Sequence, residues 1–463
     1  MRSCAPDRLP RDARAFCTPT DRPMRPSQPN AAIEDALVAR HILQRLGEGG
    51  QPPQHGVRRI NVGNESYLKV LEHEYFDYHL RFGASFKLVQ GYFGGGKTHF
   101  LYCVRELAWD RGFATAVVEL SPNECPYDDS FKVYQAVVRR IGQRPRTALG
   151  SPSYGLPDLL RNLMDDRVDA ALQTPSVPDV DAAREAVLGW LRTTVARAAC
   201  ESHSYRRAIV EFAAAFLEGR FEDEQRLEAW LTGESIPASE LRELGVYEDI
   251  GKSNGFIMLR CLTQMIVGLE LPGTVLLFDE VDRNLSVSVK RSQIIGDNLR
   301  QVIDLCGRHQ LPNTLFMYAV PPEFMRNVVP DYPALYQRLK SPVPLSVRSP
   351  QAVLIDLERL DLEPAELLST LGDKLVGVFE SARDCTFDRT LQSANARALA
   401  NACVYSYFEV NHRRLFVKTW VDFLHRQLVD GELELDPNAA TDLVLSGYDA
   451  LAQTPAQDDF SDF

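Results

Sequence analysis

The sequence predicts an α/β fold: a parallel sheet core with a helical insertion and a C-terminal helical domain. Three observations lead there. Four short runs are apolar and rich in β-branched residues, the mark of strands buried on both faces. They are FKLVQ from Phe86, ATAVVELS (Ala114 to Ser121), TVLLFDEVD (Thr274 to Asp282) and NTLFMYAVPP (Asn313 to Pro322). The segments between and after them carry apolar residues at helical spacing. The stretch from roughly Asp129 to Glu270, between the second and third runs, is too long for one crossover and reads as an inserted helical subdomain.

Taken in order, residues 1–30 are Pro- and Arg-rich and aperiodic, and are expected to be disordered. They hold no apolar stretch of the kind a signal peptide needs. Residues 31–85 form an N-terminal helical and linker region: AAIEDALVARHILQRLGEG as a helix ending in Gly, a GGQPPQHG linker, then VRRINVGNESYLKVLEHEYFDYHL as a short strand or turn before an amphipathic helix. The core spans 86–128 and 271–345, with THFLYCVRELAWDRG as the helix after the first strand, closed by Gly112. The insertion is 129–270, the C-terminal helical domain 346–450, and the acidic tail 451–463 is expected to fray. No internal repeat is visible.

Composition sets bounds. The chain has 463 residues, 45% hydrophobic and 25% charged, which is ordinary for soluble globular proteins of two or three domains. A net charge of −12 argues against a uniformly basic nucleic-acid-binding surface, though not against a local basic groove. The nine cysteines are scattered and none stands as C-x-x-C, which suits small buried apolar groups in a reducing cytoplasm. No run reaches the ~18 apolar residues of a membrane span.

The most specific signal is GYFGGGKT, residues 91–98. Gly91, Gly96, Lys97 and Thr98 make G-x-x-x-x-G-K-T, the phosphate-binding loop pattern, with a strand before it and a helix after it. A loop wrapped round a polyphosphate must turn several backbone N–H groups inward, into angles and approaches that side chains obstruct. Gly94 and Gly95 relax that demand further. The following helix adds its positive end, Lys97 reaches the β- and γ-phosphates, and the Thr98 hydroxyl ligates Mg²⁺. His99, next along, lines the nucleotide site as a packing neighbour rather than a catalyst.

Hydrolysis needs a metal-holding acid and a group that orients water. The third strand ends in both: Asp279 to hold Mg²⁺ through water, and Glu280 to polarise the attacking water. Lys97, Asp279 and Glu280 are therefore the expected catalytic set, with ATP and Mg²⁺ as cofactors. Asp282 reads as a supporting or surface acid. Ser121, at the end of the second strand, reads as a turn serine. Arg300, Arg308 and Arg338, or the paired Arg413 and Arg414 from the C-terminal helices, are candidates to stabilise transferred phosphate, against the commoner role of a solvated arginine.

Taken together and in order, INVGNESYLKVLEHEYF, VQGYFGGGKTHFLYCVRELAWDRGFATAVVELS, LLFDEVD, YAVPPEF, YPALYQRL and NHRRLFVKTWVDFL resemble the ATP-binding proteins of BREX-type bacterial phage-defence systems. The resemblance runs from about Ala31 to Gln427. It implies an AAA+/ASCE-like P-loop NTPase working beside helicase, methyltransferase or other defence components. Carried over by position, Gly96, Lys97 and Thr98 bind nucleotide, and Asp279 and Glu280 serve Mg²⁺ and hydrolysis. One departure stands out. AVPPEF replaces a pattern with threonine before Pro-Glu, so the polar residue expected near the γ-phosphate is missing. Pro321 has no side-chain donor, Tyr318 is a substitute candidate, and Asn313 lies at the wrong end of the strand.

The resulting expectation is an ATPase that remodels or recruits components of a defence complex, on DNA. Its alternative is a nucleotide-gated adaptor or loader with little hydrolysis of its own. A small-molecule kinase, which uses the same loop, fits the buried acid pair and the large helical insertion less well. RRAIVEF and HRRLFVK supply local basic residues for DNA, and arginines given by a neighbouring copy are compatible with homo-oligomers.

Overall fold

In the computed structural model, five strands form one all-parallel sheet in the order β2-β3-β4-β1-β5. They are β1 (Ala84–Gln90), β2 (Ala114–Glu119), β3 (Thr274–Asp279), β4 (Thr314–Val320) and β5 (Leu354–Asp356). The structure describes residues 31–49, 51–121, 125–145, 155–280, 289–308, 310–324, 333–339, 343–360, 362–405 and 412–452. The segment 1–30, Asp282, and all but the first two residues of the acidic tail lie outside them.

Helices α1 (Ala31–Gly49) and α2 (Glu65–Val70) precede the sheet, and α3 (Lys97–Asp110) joins β1 to β2. Between β2 and β3 come α4 (Ser130–Arg140), α5 (Leu156–Leu172), α6 (Val180–Thr193), α7 (His203–Glu218), α8 (Phe221–Leu231), α9 (Ala238–Glu243) and α10 (Gly255–Gly268). α11 (Val289–Gly307) leads into β4, and α12 (Pro333–Leu339) follows it. After β5 come α13 (Pro364–Arg383), α14 (Arg389–Tyr405), α15 (His412–Asp430) and α16 (Pro437–Ala452).

Each strand buries both faces, so its residues divide by parity. Phe86, Leu88, Leu276, Phe278, Phe316 and Tyr318 point into a core shared with the helices of the insertion and α11. Val89, Val275, Leu277, Leu315, Met317 and Ala319 point the other way, onto Phe100, Leu101, Val104 and Leu107 of α3. A separate core holds α13 to α16 together, and α1 joins it through Ala39, Ile42, Leu43 and Leu46. Sequence order sets α1 far from that bundle; packing onto α13 and α15 brings it in.

Three readings of the sequence change. β5 falls in a stretch not read as strand, because three residues carry almost no periodicity; its pairing with Leu88, Val89 and Gln90 makes it a strand. The region read as a single amphipathic helix is α2, then a π-helical turn at Leu71–Phe76, then a 3₁₀ turn at His79–Phe82. Of its aromatics, Tyr67, Tyr75 and Phe76 are buried core residues and Tyr78 is exposed. The second, third and fourth strands end at Glu119, Asp279 and Val320, short of the residues that follow them in the apolar runs.

Candidate functional site

Because the sheet is all parallel, the C-terminal ends of its strands share one edge, where ligands of such sheets gather. The residues 91–96 leave β1 there, and Asp279 closes β3 there. β4 lies between those two strands.

The glycines of the loop divide their work. Gly94 and Gly96 have φ of 71° and 92°, in the left-handed region that side chains resist. Gly95 has close neighbours instead: a Cβ there would lie 2.8 Å from Glu358 Oε1 and 3.0 Å from the Tyr92 carbonyl oxygen. Gly96 caps α3, with no side chain capping the helix. Lys97 lies along the loop, its Nζ donating to the carbonyls of Gly91 (2.9 Å) and Tyr92 (3.1 Å). Tyr92 and Phe93, the bulky loop residues, point outward and are exposed.

Strand parity carries Asp279 to the α3 side, continuing the series Val275, Leu277. There Thr98, in the first turn of α3, donates its hydroxyl to Asp279 Oδ2 at 2.5 Å. Asp279 is 3% exposed. Burial pushes its carboxyl above the usual carboxylate range, while the Thr98 hydroxyl, the Glu280 amide and Lys97 pull against that rise. Glu280 follows with φ 56°, a left-handed conformation for a non-glycine, held by its amide donating to Asp279 Oδ1 at 2.9 Å. Glu119 ends β2 opposite Asp279, exposed, and adds a further carboxylate to this edge. A hydroxyl and a carboxylate in contact are hard oxygen donors, the set that suits Mg²⁺ completed by water.

The C-terminal side of the chain reaches the loop twice. Glu358, just past β5, accepts the Tyr92 amide at 2.8 Å. Arg413, on α15, donates to the Gly95 carbonyl and, at 3.4 Å, to that of Leu357. Burial lowers the pKa of Arg413, and the Glu358 charge opposes this. Glu358 is positioned by Asp356, whose Oδ1 accepts the Glu358 amide at 3.1 Å, and by Tyr67, whose hydroxyl donates to the Asp356 carbonyl at 2.9 Å.

Of the five arginine candidates, Arg413 is the one brought to the loop. Arg338 pairs with Asp304 and Arg300 faces Asp297, while Arg308 and Arg414 are exposed. Tyr318 does not face this edge. It is stacked between Phe278 (4.7 Å) and Phe86 (5.1 Å) and bonded through its hydroxyl to Tyr127, because its parity turns it to the insertion side. Asn313 bonds the Pro272 carbonyl before β4 begins, at the far end of the strand. Ser121 accepts the Cys125 amide in a turn. His99 sits 3.3 Å from Asn61 Oδ1, and burial followed by the charges of Arg413 and Lys374 pushes its pKa down to about 4. Asn61 itself is buried and also takes the Cys103 thiol.

Glu358, Glu119 and Asn61 escaped the sequence reading. Only the acid pair and the glycine loop carry a local motif; these three are recruited across the fold.

Among the described residues no helix is long and apolar enough to cross a membrane. Searches of curated proteins and of solved structures found no match. A family model described as "BREX system ATP-binding protein BrxC/D" matches residues 35–442. That match spans most of the chain, so the protein belongs to the BREX system ATP-binding protein family, BrxC/D.

Proposed function

We propose that this protein is an AAA+/ASCE-like P-loop ATPase that couples ATP binding and hydrolysis to rearrangement or recruitment of other BREX components, on DNA. The observation that carries this reading is the Thr98–Asp279 hydrogen bond, which sets the loop of β1 against the acid of β3. The strand order adds support: β4 stands as an additional strand between β1 and β3, and a glutamate follows the strand-end acid.

In this reading the amides of residues 94–98 and the start of α3 take the phosphates. Lys97 leaves the Gly91 and Tyr92 carbonyls for the β- and γ-phosphate oxygens. Thr98 and Asp279 would hold Mg²⁺, whose charge would offset that of the phosphates. Glu280 orients the attacking water and accepts its proton. Arg413 brings a positive charge from α15 beside the loop.

The test is ATP turnover by the purified protein, alone and with duplex DNA and partner BREX components. Turnover lost in Glu280→Gln while nucleotide still binds supports the reading; equal turnover in the two proteins overturns the role of Glu280. One observation favours the second reading, a nucleotide-gated adaptor: β4 ends at Val320 with Pro321 after it, and Tyr318 is buried on the insertion side, so no polar side chain at the end of that strand is offered to a γ-phosphate. Nucleotide-dependent capture of a BREX component with no turnover under any of these conditions would select it.

A further inference from the structure

β2 delivers a carboxylate to the nucleotide edge that the roles given above leave unused. Glu119 is the last residue of β2, and the register of the sheet sets it beside Asp279 of β3. The Leu120 amide donates to the Asp279 carbonyl at 2.9 Å, which fixes that register where both strands end. Alternation along β2 sends Ala116, Val118 and Leu120 into the core shared with the insertion, and Val117 onto the α3 side. Glu119 therefore shares the α3 side with Asp279, one strand spacing of about 4.8 Å away. Strand order completes the placement. β2 borders β3 on the side away from β4 and β1, so Asp279 stands between Thr98, which follows β1, and Glu119.

The two acids are held differently. Asp279 is buried, and its oxygens accept the Thr98 hydroxyl and the Glu280 amide. Glu119 is exposed, and among the described residues no hydrogen bond or ion pair engages its carboxylate. Tyr102, one turn after Thr98 on α3, lies close to both acids. Burial raises the pKa of its hydroxyl, Arg105 opposes this, and the charges of Glu119 and Asp279 add to the rise. Two carboxylates side by side on one face repel, and a divalent cation relieves that repulsion. Mg²⁺ takes few direct protein ligands and keeps several waters, so a second acid can act on it through that water.

We propose that Glu119 is a further acid of the Mg²⁺ site, accepting hydrogen bonds from the ion's hydration water beside Asp279. This rests on the reading of residues 91–98 and Asp279 as a nucleotide and Mg²⁺ site. The consequence is electrostatic. Without metal, Glu119 repels a triphosphate; with metal, it draws the ion in. Glu119 thereby makes nucleotide affinity depend more steeply on Mg²⁺.

The experiment titrates Mg²⁺ into the full-length protein with a fluorescent, non-hydrolysable ATP analogue, and repeats the binding in EDTA. It reads binding and not turnover. Loss of an outer partner of a metal site costs about ten- to a hundredfold in metal affinity. Glu119→Gln should therefore need about ten- to a hundredfold more Mg²⁺ than wild type to reach half of the metal-dependent gain, with its affinity in EDTA equal to or above that of wild type. Glu222→Gln, which removes an exposed acid of α8, controls for net charge and should keep the wild-type midpoint. A Glu119→Gln protein with the wild-type Mg²⁺ midpoint makes Glu119 a solvated strand-end acid and overturns the proposal. So does a loss of equal size in EDTA and in Mg²⁺, the mark of a purely structural effect. Those results leave the nucleotide site standing. A wild-type protein that fails to bind the analogue, or binds it indifferently to Mg²⁺, removes the site and this inference together. Glu119→Lys is the second variant: it should bind more tightly than wild type in EDTA and gain least from Mg²⁺. Equal melting temperatures without nucleotide verify that the variants are folded.

Discussion

Thr98 and Asp279 are joined by a 2.5 Å hydrogen bond, although one opens the helix after β1 and the other closes β3. Parity and parallel strand direction place them together. Asp279 falls on the α3 side of the sheet, and both strand ends open at the same edge. Removing either partner should uncouple nucleotide affinity from Mg²⁺. Asp279→Asn keeps the shape and can still accept from Thr98, but loses the charge. We expect nucleotide binding of the wild type to strengthen with Mg²⁺ and that of Asp279→Asn to be nearly indifferent to it, as titrations with and without EDTA would read. An unchanged Mg²⁺ dependence in the variant rejects the assignment of the metal-holding acid.

Lys97 and Glu280 should fail in different ways. Lys97→Ala removes the cation we propose reaches the phosphates, so nucleotide affinity itself should collapse. Glu280→Gln leaves the proposed binding groups in place and removes the proposed proton acceptor. Turnover should fall about 100-fold or more with little change in affinity, the range for a positioned general base. Parallel binding and single-turnover measurements separate the two; a Lys97→Ala protein that binds ATP normally contradicts the loop assignment.

Glu358 and Arg413 hold opposite sides of the loop backbone, at Tyr92 and Gly95. Glu358→Ala takes the acceptor from the exposed Tyr92 amide, where water can substitute, an effect of about 1 kcal/mol, while Glu358→Gln retains an acceptor at that position. Nucleotide affinity should therefore drop in the alanine variant and recover in the glutamine variant. Arg413→Ala should weaken binding as well, because it removes both a brace and a positive charge. Glu358→Ala binding nucleotide as tightly as wild type, with the same melting temperature, removes Glu358 from the loop's support.

Lys87 sits mid-strand in β1, 1% exposed, donating to the Ala352 carbonyl at 2.7 Å and to the Tyr75 hydroxyl. Among the described residues no carboxylate forms an ion pair with it, and burial lowers its pKa to about 7. Below pH 7 both folded and unfolded chains hold the proton, and the penalty for burying the charge is fully present. Above pH 7 the folded state releases the proton that the unfolded chain keeps, so stability rises with pH. The gain from this one group is about 2 kcal/mol between pH 7 and 9. Lys87→Met should be more stable at pH 7 and should lack that rise. Denaturant melts of both proteins across that range are the check; parallel pH profiles mean Lys87 keeps its proton in the fold.

The sequence by itself determined the parts whose signals are local. Apolar runs long enough to be buried on both faces announced β1 to β4. A glycine loop between strand and helix and an acid pair at a strand end announced the candidate site, and the order of motifs along the chain announced the family. Those signals survive because each depends on residues within one turn or one strand. Tertiary structure alone decided the rest. β5 is three residues that become a strand only by pairing with β1. Arg413 was one of five arginines until α15 set it on the Gly95 carbonyl. Glu358 had no motif at all, and Tyr318 looked available until its parity turned it inward against Phe278 and Phe86. The packing of α1 onto α13 and α15 belongs with these. Each is a meeting of segments far apart along the chain, and burial of a shared apolar core, rather than any local preference, selects which of them come together.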